Sequence, residues 1–332
     1  MTLRVGIVGA GLIGSRRAGF VSASPRSQMV MVADTDEARA RALAASHNCA
    51  FVADWHDLIG QQEIDAVVVS TPNKFLAPIS IAALKAGKHV LCEKPMGRSA
   101  DEALQMAAAA QESGRTLKIG FTLRFQPALR KAHELCEQGE LGPLFLVRAV
   151  YGHGGRPGYD REWRGNPELS GGGELLDQGV HLLDLSRWFL GDFQEVLAMT
   201  PRWFWDIAPL EDNAFVLLRT AGGQVASLHT SWTEWRNRFS FEVFGRDGYL
   251  QAEGLGGSYG QPALTIGRRR PESGPPDEEQ LVFEGDPSWD EDWEDFLDAI
   301  ELGRPPEVGP EEGLEVMRLV DAVYAAAGRG VR

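Results

Sequence analysis

"LRVGIVGAGLIGSRRAGF", residues 3–20, decides how the first part of the chain is read. It starts as a short apolar run ending in glycine, and a helical pattern follows to about residue 23. At the junction stand Gly9, Gly11 and Gly14, spaced Gly-x-Gly-x-x-Gly. The first glycine permits a tight turn, the second lets a pyrophosphate approach the backbone, and the third lets the helix pack close to the strand. The helix N-terminus then faces the phosphates. The spacing alone is a weak signal, but here it has a strand before it and a helix after it. An acidic residue, Asp34, also ends the second strand twenty residues after Gly14. The sequence therefore predicts a dinucleotide site with Gly9, Gly11, Leu12, Ile13 and Gly14 in its loop and Asp34 at the ribose. A carboxylate there accepts hydrogen bonds from both ribose hydroxyls and repels a 2′-phosphate. Thr35, Asp36 and Glu37 come next, and the first basic residue after them is Arg39. The predicted cofactor is NAD rather than NADP.

Working outward, "QMVMVAD", "IDAVVVST", "HVLCEKP" and "TLKIGF" read as further strands with helical stretches between them. The helix "SADEALQMAAAAQESG" carries Ser99 as its cap, Glu102 three residues later in a capping box, and Gly114 as its stop. Strand and helix alternate, so residues 1–121 are expected to form an α/β domain with a doubly wound parallel sheet. The pattern then changes. A helix covers about 126–138, "GPLFLVRAVYGHG" reads as a long strand, and a helix follows over 173–190. After it come "EVLAMTPRW", "NAFVLLRT", "GQVASLHTSW", "RFSFEVFG" and "GYLQAEG", with alternating polarity and turn signals between them. Residues 122–332 are expected to form an α+β domain with a large, mostly antiparallel open sheet. Two amphipathic helices end the chain, the last a candidate to pack back on the first domain. "RRRPESGPPDEE" reads as loop, and the acidic "PPDEEQLVFEGDPSWDEDWEDFLDAIE" as solvated loop and helix face.

The length of 332 residues suits two domains. No apolar run reaches eighteen residues, so no membrane span is expected. The N-terminus runs straight into the glycine motif, without the charged and apolar regions of a signal peptide. Cys49, Cys92 and Cys136 have neither zinc-ligand nor redox spacing, which points to a reducing, cytoplasmic setting. A net charge of −14 argues against nucleic acid or an anionic membrane as partner.

Three further stretches carry candidate chemistry. "STPNKF" follows the third strand at the carboxyl edge of the sheet, where ligands bind in this architecture. Thr71, Pro72 and Asn73 are placed there to meet ribose or nicotinamide; a Pro-Asn turn would use the same residues without a ligand. "CEKPMG" ends the fourth strand at the same edge with Glu93 and Lys94. Lys94 precedes Pro95 in constrained, non-helical backbone, a platform that could aim an ammonium at a ligand or equally carry a surface lysine. In "GGGELLDQGVHLLDLSRWFLG", residues 171–191, Asp177, His181, Asp184 and Trp188 recur at helical spacing and share one face.

Taken together and in this order, the glycine fingerprint, "TPN", "AGKHVLCEKP" and "SGGGELLDQGVHLLDLSRWFLG" resemble the glucose–fructose oxidoreductase, inositol dehydrogenase and rhizopine-catabolism (Gfo/Idh/MocA) superfamily. The resemblance covers nearly the whole chain. It implies an N-terminal Rossmann domain that binds NAD through the residues above, Glu93 and Lys94 included. It also implies a C-terminal domain whose open sheet pairs with other copies into dimers or tetramers. The reaction implied is hydride transfer between nicotinamide and a secondary alcohol or ketone of a polyol, sugar or sugar derivative. In that family pattern His181 is the acid–base residue on a helix facing the nicotinamide. An imidazole suits the task because its unperturbed pKa is close to neutral. Lys94 would hold the same oxygen, and Asp177 would bind an adjacent hydroxyl and bias His181. Asp184 would support packing or orient His181. A metal held by Asp177, His181 and Asp184 is the competing arrangement, and hydride transfer needs none. Two departures put the substrate in doubt: Leu76 stands where the family often has histidine, and "FTLRFQP" keeps only Arg124 and Phe125 of an Asn-Arg-Arg-Phe pattern. Arg124, Tyr151, His153, Arg156 and Trp163 are the substrate-side candidates, with Arg124 and Arg156 able to read an anion. "SFEVFGRDGYLQAEGLGGSYG" resembles members of sugar-nucleotide pathways. A non-catalytic NAD-binding sensor, and a dehydratase or glycosidase that uses tightly held NAD as a transient oxidant, stand as rivals.

Overall fold

The structure is a computed structural model that describes residues 2–328. The chain divides into two compact units. Of the described residues, the first holds 2–121 together with Glu168–Gly171 and Trp289–Arg318; the second holds Thr122–Pro167, Gly172–Ser288 and 319–328.

In the first unit the elements alternate: β1 (Leu3–Val8), α1 (Leu12–Ala23), β2 (Ser27–Ala33), α2 (Glu37–His47), β3 (Ala50–Val52), α3 (Trp55–Ile59), β4 (Ala66–Val69), α4 (Asn73–Lys85), β5 (His89–Glu93), α5 (Ala100–Ser113) and β6 (Leu117–Gly120). They build one parallel sheet in the order β3-β2-β1-β4-β5-β6. All four residues of β4 are buried, as in a strand covered on both faces. The sequence predicts five of these strands. It misses β3, three residues with no buried member at the sheet edge. The α5 cap also differs in detail. Ser99 Oγ accepts the Glu102 amide as expected, but Glu102 Oε2 reaches back to the amide of Arg98, one residue beyond the cap.

The single turn α7 (Pro167–Ser170) has all but Pro167 in the first unit; the second unit contains α6 (Pro127–Glu137), β7 (Leu144–Gly152), α8 (Val180–Leu190), and strands β8 (Phe193–Met199), β9 (Asn213–Thr220), β10 (Val225–Ser231), β11 (Arg238–Gly245), β12 (Gly248–Glu253), β13 (Ala263–Arg268) and β14 (Asp277–Val282). The sheet order is β14-β13-β12-β11-β7-β10-β9-β8, with β7 and β10 parallel and the other pairs antiparallel. Along β9, Ala214, Val216 and Leu218 are buried while Leu217 and Arg219 are exposed, so one face is covered and the other open. Phe189 of α8 packs against Phe241 of β11 on the covered face, ring centroids 5.3 Å apart. Strand β14 corrects the expectation of a loop and solvated stretch at "DEEQLV". It is an edge strand with five exposed residues of six, so its polar composition hides it.

The chain ends in α9 (Ser288–Leu302) and α10 (Pro310–Ala326). The sequence reading places residues 289–318 in the second domain, with the last helix a candidate to pack back on the first; in the structure Trp289–Arg318, the start of α10 included, group with the first unit. Trp293, Phe296 and Leu297 of α9 complete the core formed by Val5, Ile7, Val21, Met29 and Val68. The solvated helix face expected there is only half right. Asp292 and Asp295 of α9 are buried, because they neutralise Arg17 and Lys118, which are buried too.

Candidate functional site

The nucleotide loop lies at the junction of β1 and α1. Gly9 has φ 101°, a conformation L side chains rarely adopt, and a Cβ there would lie 2.6 Å from the carbonyl oxygen of Ser70. A Cβ on Gly14 would fall 1.8 Å from the Gly9 carbonyl oxygen, so only glycine lets α1 begin this close to the strand. Gly11 is different: a Cβ there meets nothing within 4 Å. The space beside it suits a bulky polyphosphate near the backbone. Gly11 caps α1 without a side-chain hydrogen bond, and the first turn has no acidic residue. That helix start is thus unopposed in its attraction for an anion. Leu12 is exposed and Ile13 partly buried. Asp34 is held at the end of β2 by two amides, Ala10 N–H to Oδ2 at 2.7 Å and Asp36 N–H to Oδ1 at 2.8 Å. Both carboxylate oxygens keep acceptor capacity, which fits a ribose diol. Asp36, by contrast, caps α2, accepting from the amides of Ala38 and Arg39.

At the carboxyl edge of the same sheet, Thr71 Oγ1 is buried and has no hydrogen-bond partner among the described residues, a second feature that fits a bound dinucleotide. Pro72 caps α4. Asn73 is buried, and its Nδ2 donates to the carbonyl of Ser170 at 2.8 Å, so its amide is committed to the fold. Glu93, expected among the cofactor contacts, turns onto Arg17 Nε at 2.7 Å. Arg17 reaches on to Asp292 at 2.5 Å, and Lys118 joins Asp292 and Asp295 at 3.1 and 2.6 Å. This buried chain of charge ties α1, the end of β5, β6 and α9 together. A carboxylate so buried needs a cation, and Arg17 supplies it. Lys94, next along, is half-buried and joined to Pro95 by a cis peptide bond.

The second unit carries the acid–base candidates. The sequence predicts one regular helix over 173–190; the structure instead has a π turn at Leu175–Gly179 leading into α8 at Val180. Wide turns of this kind occur mostly as single turns inside α-helices, and frequently at functional sites. Asp177 sits on the π turn, and the regular stripe reduces to His181, Asp184 and Trp188 on α8. The glycines before it are forced by crowding. A Cβ on Gly173 would meet the Glu211 carbonyl oxygen at 2.0 Å, and one on Gly172 the Tyr324 hydroxyl at 2.5 Å. Glu211, fully buried, caps the element from a distant loop. Its Oε1 accepts the amides of Gly173 and Leu175 at 3.1 and 3.2 Å and the Tyr324 hydroxyl at 2.7 Å.

His181 is 7% exposed, with the Tyr151 ring tilted beside it at 6.1 Å. Asp177 Oδ2 accepts from Arg164 Nε at 2.9 Å, a partner the sequence reading does not find. Their attraction, above all the pull of Asp177, raises the Arg164 pKa further. Asp184 is committed to Arg124 through two parallel bonds of 2.9 and 2.6 Å in a buried pair. Arg124, a candidate anion reader in the sequence, is therefore spent inside the fold. Trp188 stacks on His133 at 3.8 Å and also lies under Arg124. Asp184 and Trp188 of the stripe thus serve the fold, one through a buried ion pair and the other through ring packing. Among the described residues, no group of three or more His, Cys, Asp or Glu side chains is arranged to hold a metal. Of the other candidates, Tyr151 is partly buried at the end of β7, packed edge-on against Phe239 and Tyr259. His153 Nδ1 accepts the Gly155 amide at 2.9 Å, and burial lowers its pKa. Arg156 is exposed and paired with Glu162. Trp163 lies under the Arg164 guanidinium at 4.6 Å.

Residues 3–121 match the model of an oxidoreductase family with an NAD-binding Rossmann fold, and residues 129–251 match the GFO/IDH/MocA C-terminal domain. The inositol 2-dehydrogenase 2 of Saccharopolyspora erythraea is 32% identical over 230 residues, 67% of this chain and 65% of that protein. The 1,5-anhydro-D-fructose reductase of Ensifer adhaerens is 29% identical over 332 residues, 98% of this chain and 97% of that one. The structure of a levoglucosan dehydrogenase in complex with NADH and levoglucosan superposes with a TM-score of 0.89 over 99% of this chain and 98% of that one; at 23% identity it speaks for the fold alone.

Proposed function

The chain belongs to the GFO/IDH/MocA oxidoreductase family, and from that premise we propose how it works as an NAD(H)-dependent oxidoreductase of polyols and sugars. Bound NAD supplies the hydride acceptor, held by the Gly9–Gly14 loop and Asp34. His181 takes the proton from the substrate hydroxyl as the carbinol hydride departs, and returns it in the reverse direction. Lys94 holds the same oxygen and stabilises its developing negative charge. Asp177, fixed by Arg164, binds a neighbouring hydroxyl. The observation that carries this reading is a buried imidazole immediately after a π turn bearing an oriented carboxylate, in a chain whose first unit is built to take a dinucleotide.

A panel of polyols and aldoses, followed by the absorbance of the reduced nicotinamide, tests it. Reduced cofactor should accumulate with at least one neutral polyol or sugar, and faster with NAD than with NADP. Asp34→Ala should weaken NAD binding by about 1–3 kcal/mol, the range for charge-assisted hydrogen bonds left unmade. It should also narrow the preference over NADP. Equal or tighter NADP binding by the unmodified protein defeats this account of Asp34, and no reduction by any member of the panel defeats the reaction.

Self-association through the open sheet face is part of the same proposal. Leu197, Met199 and Leu217 are 70%, 68% and 47% exposed on neighbouring strands β8 and β9, an apolar patch that supports pairing with a second copy. Light scattering in solution should give a dimer or tetramer; a monomer at assay concentration rejects it. The cysteines Cys49, Cys92 and Cys136 are all free thiols, which supports a cytoplasmic location, checked by cell fractionation.

A further inference from the structure

The π turn carries a buried amide, that of Gln178, within hydrogen-bond reach of two phenols, Tyr151 and Tyr259. Gln178 follows Asp177 directly and is 9% exposed. Its Nε2 donates to the Tyr259 hydroxyl at 3.2 Å. Its Oε1 is buried and has no hydrogen-bond partner among the described residues. A buried acceptor in that condition disfavours the fold unless something else satisfies it.

Tyr259 reaches this place on the loop "GLGGSYG", residues 254–260. Gly254, Gly256, Gly257 and Gly260 have φ of 74°, 80°, 54° and 86°, so the path of the loop depends on glycine at four of seven positions. That path delivers one aromatic side chain onto the π turn. The Tyr259 ring meets Tyr151 edge-on, centroids 5.6 Å apart, and Tyr151 lies beside His181. A single ring therefore separates the Gln178–Tyr259 pair from the acid–base imidazole. The Tyr259 oxygen accepts from Gln178, so its own O–H remains a donor.

We propose that Gln178 and Tyr259 are specificity-determining residues that together read a second hydroxyl of the substrate, apart from the one on which His181 acts. That hydroxyl donates to Gln178 Oε1 and accepts from Tyr259. The inference rests on the polyol-dehydrogenase reading above and narrows it to uncharged, polyhydroxylated rings. The charges nearest the pair favour this. Burial first, and then the carboxylates Glu174 and Asp177, hold the Tyr259 phenol up at about 12, so it stays a donor at neutral pH. A phosphate or carboxylate placed there would face both carboxylates, while Arg164 is already paired with Asp177.

Tyr259→Phe keeps the ring against Tyr151 and removes only the hydroxyl; Gln178→Leu removes the amide. On the intact protein with its best neutral substrate, each should raise KM on the order of tenfold, with kcat changed by less than about threefold and NAD affinity unchanged. The preference for the parent ring over its singly deoxygenated analogues should shrink at one ring position. Calorimetry with myo-inositol or D-glucose on protein loaded with NADH makes the same comparison without turnover. Weaker binding by the variants there supports the pair even if that ring is not oxidised, which separates failure of this inference from failure of the proposed reaction. Unchanged KM, binding and deoxy-analogue preference in both variants would overturn it. So would a wild-type protein that ignores neutral rings and takes a sugar phosphate.

Discussion

His181→Ala is expected to lower the rate of alcohol oxidation by about 10²–10⁴-fold, the contribution of a positioned general base, and to flatten the acid limb of the pH profile. The sign follows from the role. A base must be unprotonated to accept the hydroxyl proton, so oxidation by the wild type should rise with pH along that limb. Ketone reduction needs the protonated ring and should fall with pH over the same range. The side chain is buried on the first turn of α8, behind the π turn, with Tyr151 tilted against it. Alanine leaves α8 intact, because the contacts of Asp184 with Arg124 and of Trp188 with His133 lie further along it. NAD affinity should hardly move, since the Gly9–Gly14 loop and Asp34, proposed to hold the cofactor, keep their own contacts in the variant. If the limb survives unchanged in the variant, a different group titrates and His181 leaves the mechanism.

Lys94→Ala comes next in size. An ammonium that holds the reacting oxygen is worth more as charge develops on that oxygen than before, so its loss falls on kcat. The expected drop is ~10²-fold or more, the scale for deleting one donor to an oxyanion. Cofactor affinity should change little. Lys94→Arg is expected to recover only part of the rate, because a planar guanidinium replaces a compact point charge. Near wild-type turnover by Lys94→Ala on the best substrate would remove Lys94 from the chemistry.

Much of this was legible in the sequence because it is local. Gly9, Gly11 and Gly14 lie within one turn of backbone, and the crowding that demands the first and last of them is produced by their immediate neighbours and by Ser70. The parallel sheet was legible because fully buried strands such as β4 read as unbroken apolar runs. What escaped the sequence depends on partners far along the chain. Arg17 and Asp292 are 275 positions apart, and nothing in either local pattern points to the other. For that reason neither the pairing of Glu93 with Arg17 nor the burial of Asp292 can be read from the sequence. Glu211 caps the helix start 38 positions before it. The π turn escaped because Asp177, His181, Asp184 and Trp188 fit an uninterrupted helix just as well; one extra residue in a turn leaves the spacing plausible. Tyr259 had a usable signal, four glycines around one aromatic, but without the fold no residue could be named as its neighbour.

In the proposed reaction hydride passes directly between a carbinol carbon and the nicotinamide, and reduced cofactor then leaves. The most direct measurement uses the best substrate deuterated at that carbon, with mass spectrometry of both products after turnover. Deuterium is expected in reduced nicotinamide released to solution, with ketone formed in equal amount. Deuterium returned to a rearranged or cleaved sugar, with no reduced nicotinamide set free, would contradict it.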